Sequence, residues 1–390
     1  MNQDRAKLYA NQLSFGVLGA IEASWAPMVP FVKVGMQLDD AQFGRLLLSM
    51  GLGSLFALPA VGPLISRFGP RIVAISGSLL LGLSLVGISY TSSPLLLCFI
   101  LAMFGASLIA IDVASNVNAV VLESIFNKPL MSGFHGGYSL GTIVGSMLMS
   151  LLLTVGLGIH LSSVLIFLIM SAITFIGFKA LISDVKTFNS EHTSTEEENS
   201  QKRHLRIPPL VIVLGCLCFI MYGSEGALLS WTTVFATQNR GIAPETAGYF
   251  YTFFAVTMTF ARYTGNRLVS KIGRRRTVVL GAMMVASGFF ITAMIEHYSG
   301  MMIGFAIIGL GAGNIVPQLV SFTGTIRGIK VQSAISMINS LGYSGILLGP
   351  VIIGQISKMS SLERSFEVLG VAVFVVAVVS FKILKANRKS

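Results

Sequence analysis

GPLISRFGPR, residues 62–71, is a short basic stretch between two apolar runs, and NRLVSKIGRR, residues 266–275, repeats its pattern 204 residues later. A cation, a glycine and an arginine fall in register in both copies. One such echo is weak evidence. Two more occur at nearly the same offset: Glu22 answers Glu225 at 203, and GYS at 137–139 answers GYS at 342–344 at 205. Three coincidences at one spacing argue for a chain made of two similar halves.

The solvent around those halves follows from composition. Of 390 residues, 53% are hydrophobic and 11% are charged, with a mean hydropathy of +0.79. Soluble domains carry about 25% charged residues, so this chain cannot cover itself with a wetted surface. Stretches 72–111, 129–178, 207–224 and 277–295 contain no Asp, Glu, Lys or Arg. A hydrocarbon core about 30 Å thick needs about 20 apolar residues per helix. The pattern therefore predicts an all-α polytopic membrane protein with twelve transmembrane helices in two pseudo-symmetric six-helix bundles. The expected spans are 9–32, 43–66, 72–91, 94–121, 130–156, 161–182, 208–236, 245–268, 277–296, 300–325, 332–357 and 363–384. MNQDRAKLYANQ at the N-terminus lacks a small-residue cleavage site after a short apolar region, so it reads as the start of an uncleaved first helix.

Residues 184–206, acidic in the middle and basic at the end, read as a cytoplasmic linker between halves 1–183 and 207–390. With both termini inside, all but five of the 27 Lys and Arg fall on the cytoplasmic side; the exceptions are Lys33, Arg45, Arg240, Lys358 and Arg364. That asymmetry fixes orientation. The net charge of +11 thus reports topology, not a nucleic-acid partner. Cys98, Cys216 and Cys218 fall within spans, with no disulfide framework and no metal-ligand spacing. Parallel repeats in a membrane are a transporter architecture, with the substrate site near mid-membrane between the halves.

Over its whole length the chain resembles the major facilitator superfamily. The two basic loops are similar to that superfamily's G-x-x-x-D-R-x-G-R-R signature. Gly62, Arg67, Gly69 and Arg71 fit the first copy, and Lys271, Gly273, Arg274 and Arg275 fit the second. Ser66 and Ser270 stand where the signature has Asp. The resemblance assigns these loops, with Arg262, to a cytoplasmic gate; Arg262 and Arg267 read equally well as positive-inside anchors. Within the superfamily, ASWAP (23–27), DVASNVNAV (112–120), MSGFHGGYSLG (131–141), EGALLSW (225–231), GAGNIVPQLVS (311–321) and LGYSGILLGP (341–350) resemble the MosC/YbjJ-like branch. That branch usually carries Arg where this chain has Met28.

The residues that could carry chemistry are polar groups inside spans. An ionised carboxylate at a helix centre costs about 2.5–3.5 kcal/mol on insertion scales, so intramembrane acids are functional candidates. Glu22 and Asp112 qualify. The resemblance extends to sugar–proton symporters such as the fucose permease, which hold acids on the same two helices, and it makes Glu22 and Asp112 a protonation pair. Asn116 lies one turn beyond Asp112 on the same face. His135 could relay a proton or simply pack between helices; Tyr138 follows it at i+3. In the second half Asn314, Gln318 and Asn339 fall near the counterparts of these titratable groups, so ligand hydrogen bonding is expected there. Tyr343 matches Tyr138, and Glu225 could serve either role. Trp25 and Trp231, beside the two glutamates, could stack on a sugar-like ring or merely pack. GLGAGN (309–314) lies in a membrane helix with no strand before it, so it is not a dinucleotide loop.

These readings point to a secondary active transporter working by alternating access, with the proton as coupling ion and no cofactor or metal. Symport of a small polar organic solute, sugar- or polyol-like, is the leading expectation. A proton-driven efflux antiporter is the alternative, and a membrane-embedded enzyme or sensor is remote. The expected setting is the cell inner membrane, multi-pass, as a monomer in contact with lipid and a small-molecule substrate.

Overall fold

The computed structural model describes residues 3–128, 130–183, 208–323, 326, 329 and 331–384. The linker at 184–206 lies outside the described residues. Among the described residues thirteen α-helices follow in chain order: α1 Gln3–Gly35, α2 Asp40–Phe68, α3 Pro70–Tyr90, α4 Pro94–Phe126, α5 Met131–Thr154, α6 Gly158–Gly177, α7 Pro209–Arg240, α8 Pro244–Ile272, α9 Arg274–Met294, α10 Tyr298–Ala312, α11 Ile315–Phe322, α12 Val331–Met359 and α13 Leu362–Ile383. They occupy the twelve expected spans, because α10 and α11 share the tenth. Among the described residues, eleven spans are long and apolar enough to cross a membrane by length and composition alone. The remaining one is α8, whose apolarity is diluted by threonines, tyrosines and Arg262.

Chain punctuation explains where these helices begin. Proline opens α3, α4, α7 and α8, at the first helical position, where its N–H would lack an intrahelical partner and its fixed φ suits the helix. Gly69 and Gly273, the glycines of the two repeated loops, share one backbone conformation, φ 82° and ψ 155° or 157°. That region is essentially restricted to glycine, so each loop turns from one helix directly into the next only because glycine stands there. The sequence repeat is thus a conformational repeat.

By packing, the chain forms two compact units: Met1–Met28 with Ser49–His204, and Val29–Leu48 with Leu205–Ser390. Sequence puts the boundary between halves in the linker; packing also transfers the end of α1 and the start of α2 to the second unit. Lys33 Nζ lies 2.7 Å from Asp40 Oδ1, with the lysine side chain only 5% exposed. Ser357 on α12 donates to the other Asp40 oxygen. Lys358 Nζ sits 2.8 Å from Asp39. The Phe43 ring meets Trp231 edge-on at 5.5 Å.

In the first unit α1 lies against α5 almost backbone to backbone. A Cβ at Gly141 would overlap the Gly16 carbonyl, one at Gly145 the Ala20 carbonyl, and one at Gly19 the Tyr138 carbonyl. Ser24 Oγ donates across this seam to the Gly145 carbonyl at 3.2 Å. In the second unit α7 and α12 meet in the same way, Gly345 against the Phe219 carbonyl and Gly349 against Gly223. Small residues let membrane helices approach this closely, and the approach carries Glu22 and Glu225 toward their partners.

Candidate functional site

In the first unit, the α1–α5 seam brings Tyr138 Oη within 2.7 Å of Glu22 Oε2, to which it donates. Both side chains are half-buried. Asp112, on α4, is near enough for its charge to act on Glu22. Its own Oδ1 accepts from Asn116 Nδ2 at 3.1 Å, and that amide also donates to the Asp112 carbonyl at 2.9 Å. The frame is set by Ser14 and Ser115, whose hydroxyls join α1 to α4 at 2.8 Å. Two carboxyls, each with one neutral donor, are therefore held together inside the membrane-spanning region. Neutral donors can serve a carboxylate and do not lock it as a cation would. His135 is exposed one turn before Tyr138, its ring 5.0 Å from that of buried Phe15.

The corresponding place in the second unit has different chemistry. Glu225 on α7 faces Arg262 on α8, with Arg262 Nη2 3.7 Å from Glu225 Oε2. Tyr222, one turn before Glu225, stacks on Tyr343 of α12 with ring centroids 5.4 Å apart and planes 28° apart. Tyr343 corresponds to Tyr138 by sequence offset, yet its ring lies on another tyrosine. Asn339 lies one turn before Tyr343, half-buried.

Several expected ligand-binding residues are placed elsewhere. Trp25 and Trp231 are fully buried and present no face to a ligand ring; Trp231 donates to the Pro350 carbonyl at 3.0 Å. Asn314 spans the break between α10 and α11, donating to the Ala261 carbonyl at 2.7 Å while packed on Gly265. Gln318 accepts from Arg274 at 3.3 Å beside a repeated basic loop, and Arg274 also donates to Ser321 at 2.8 Å. These amides join helices, which one sequence cannot distinguish from ligand binding. Met28, the branch departure, is fully buried.

The expected gate residues separate similarly. Arg67 and Lys271 are exposed; Arg67 lies over the Phe68 ring at 5.2 Å. Arg275 stacks on Phe381 of α13 at 4.0 Å, and Arg71 is half-buried. A Cβ at Gly62 would meet nothing within 4 Å, in contrast to Gly69, where it would overlap the Ser183 carbonyl. Ser270, at a signature Asp position, donates to the Arg267 carbonyl of its own helix. Arg262, expected with the loops, lies against a carboxylate within the membrane-spanning helices. Sequence reasoning passed over Tyr222, and also Glu123, whose Oε1 accepts from the N–H groups of Leu130 and Met131 to start α5.

The sequence matches the model of the Major Facilitator Superfamily over residues 13–265 and again over 219–390. The chain belongs to the major facilitator superfamily. An uncharacterized MFS-type transporter of Yersinia pestis is 34% identical over 368 residues, covering 94% of this chain and 93% of its own. Membrane protein MosC of Rhizobium meliloti is 27% identical over 354 residues, covering 90% of this chain and 84% of its own, which agrees with the MosC-like branch. A crystal structure of a D-xylose-proton symporter shares the fold, with a TM-score of 0.79 at 15% identity and 97% of each chain covered. As a facilitator-superfamily member the protein is a transporter of small molecules and not an enzyme.

Proposed function

We propose that this transporter is a proton-coupled symporter of a small polar, sugar- or polyol-like solute, operating by alternating access in the cell inner membrane with both termini cytoplasmic. The observation that carries this reading is the pairing of Glu22 with the Tyr138 hydroxyl at 2.7 Å, with Asp112 close enough to interact. An intramembrane carboxyl without a fixed cation can alternate between protonated and ionised forms at modest cost, and two neighbouring carboxyls titrate as a coupled pair. The second unit, with its tyrosine pair, Asn339 and the Glu225–Arg262 couple, supplies hydrogen-bonding and stacking groups for a polar solute. The fold shared with a D-xylose-proton symporter is compatible with this division. The excess of Lys and Arg on one side supports the orientation. One chain carries every residue invoked, so a monomer suffices.

The test is uptake by proteoliposomes across a panel of sugars, polyols and organic acids, with and without an inward proton gradient. Glu22→Gln and Asp112→Asn are compared with the parent. Gradient-stimulated uptake, lost in both variants, is expected. Uptake indifferent to the gradient would remove the coupling role. Accumulation driven by an opposed gradient would make the protein an exchanger.

A further inference from the structure

Arg262 lies nine residues before Lys271 on α8, so it stands about 14 Å along the helix from the loop at about 1.5 Å per residue. A guanidinium at that depth is costly and is kept where it has work to do. Its ion pair with Glu225 is long, 3.7 Å between Nη2 and Oε2, with the two side chains 37% and 22% exposed. Charge-assisted hydrogen bonds close to about 2.7–2.9 Å, and arginine prefers a two-pronged grip on carboxylates. The Glu225 contact is therefore longer than a charge-assisted hydrogen bond, and it lies on a partly exposed face. That face is aromatic: Tyr222 lies within electrostatic reach of both Glu225 and Arg262, and its stacking partner Tyr343 is 56% exposed.

We propose that Arg262, Glu225 and the Tyr222–Tyr343 pair form a substrate subsite for the carboxylate end of a small polyhydroxy acid, such as a sugar acid. This rests on the transporter reading above and narrows its solute class. Arg262 exchanges its long contact with Glu225 for a two-pronged contact with the ligand carboxylate. Glu225, released, accepts hydrogen bonds from ligand hydroxyls, and the tyrosines cover the apolar face of the carbon skeleton. Glu225 is in effect a tethered competitor for the ligand, occupying the arginine when the site is empty. Arg262 thus sets specificity, where sequence assigns it to a gate.

Binding without any gradient tests this separately from coupling. The purified full chain in lipid nanodiscs is titrated calorimetrically with glucuronate and gluconate, and with glucose and myo-inositol as neutral counterparts. The acids are expected to bind at least about tenfold more tightly than the neutral compounds, and Arg262→Gln to erase that preference. Arg262→Lys retains part of it. Glu225→Gln, which removes the competing charge, is expected to bind the acids more tightly than the parent. A merely structural ion pair predicts weakening in both Arg262→Gln and Glu225→Gln, so the opposite signs decide. Neutral compounds binding as well as the acids, no acid binding to the parent, or Arg262→Gln keeping the preference would each overturn the proposal. If the acids bind as expected while uptake ignores a proton gradient, only the symport reading falls.

Discussion

Tyr138 and Tyr343 occupy equivalent places in the two halves, yet one donates to a glutamate and the other stacks on a tyrosine. The difference follows from what else reaches the carboxylate. Glu225 has a guanidinium beside it, whereas Glu22, among the described residues, has a phenol and a second acid beside it. Hydrogen bonds to charged groups contribute about 1.5–3 kcal/mol net. Tyr138→Phe keeps the ring and deletes that donor, so gradient-driven uptake should fall about tenfold or more while the melting temperature stays near the parent value. Initial rates in proteoliposomes with thermal unfolding of the same preparation check it; an unimpaired rate would detach Tyr138 from coupling. Glu22 and Asp112 were legible in sequence because charge in an apolar run is conspicuous. The partners were less so. Asn116 follows from helical spacing, but the Arg262–Glu225 couple joins two helices whose relative rotation no single-sequence pattern encodes. The tryptophans stayed open between stacking and packing for a related reason, since residue type does not say whether a ring faces a core or a cavity.

At the scale of elements, twelve spans were readable because hydropathy and proline punctuation act locally, and the observed helices differ from the expected ones by a few residues added, lost or shifted at their ends. The break at Gly313–Asn314 was not readable, because it depends on Asn314 reaching the Ala261 carbonyl of a neighbouring helix. Glycine seams make a sharp prediction. Gly145→Ala drives a Cβ into the Ala20 carbonyl, whereas Gly62→Ala meets open space. The first should destabilise by about 1–3 kcal/mol, and the second should be neutral or gain up to about 1 kcal/mol from helix propensity. Melting temperatures of the two variants in one detergent compare them directly. The start of α2 is a reciprocal cap, in which Asp39 accepts from the Gln42 N–H at 2.8 Å and Gln42 Oε1 accepts from the Asp39 N–H at 3.0 Å. The hydrogen bond from Lys358, followed by the Gln42 N–H, holds the Asp39 carboxyl below its ordinary value. Its stabilising effect is complete above the unfolded-state value of about 4 and is lost as pH falls through the lower folded-state value. The melting-temperature difference between the parent and Lys358→Met should therefore be constant from about pH 5 upward and shrink at lower pH. A difference that grew on acidification would remove Lys358 as the cause.

For the whole molecule, chain order and packing disagree at one place. Residues 29–48 comprise the end of α1 and the start of α2 of the first half, yet they pack in the second unit. Sequence repeats reveal which segments are homologous and say nothing of which unit a helix end joins, so this transfer was invisible before the structure. It makes α1 and α2 each continuous from one unit into the other, at 28/29 and 48/49. Asp40 binds both Lys33 and Ser357, Gly44 faces Gly354, and Phe43 lies edge-on to Trp231, so a charged group, a glycine contact and a ring hold the transferred segment. A transporter that exposes its site alternately to two sides must loosen one set of such contacts in each cycle, and this set joins the end of α1 and the start of α2 to α7 and α12. The Asp40–Ser357 side-chain contact is the place to test a covalent tie. In a background with Cys98, Cys216 and Cys218 replaced by Ser, Asp40→Cys with Ser357→Cys should cross-link on oxidation and stop uptake. Reduction should restore it, and the single cysteine variants should be insensitive to oxidant. If the cross-linked protein, verified by mass spectrometry, still transported at the reduced rate, segment 29–48 would be a permanent part of the second unit and the moving contacts would lie elsewhere.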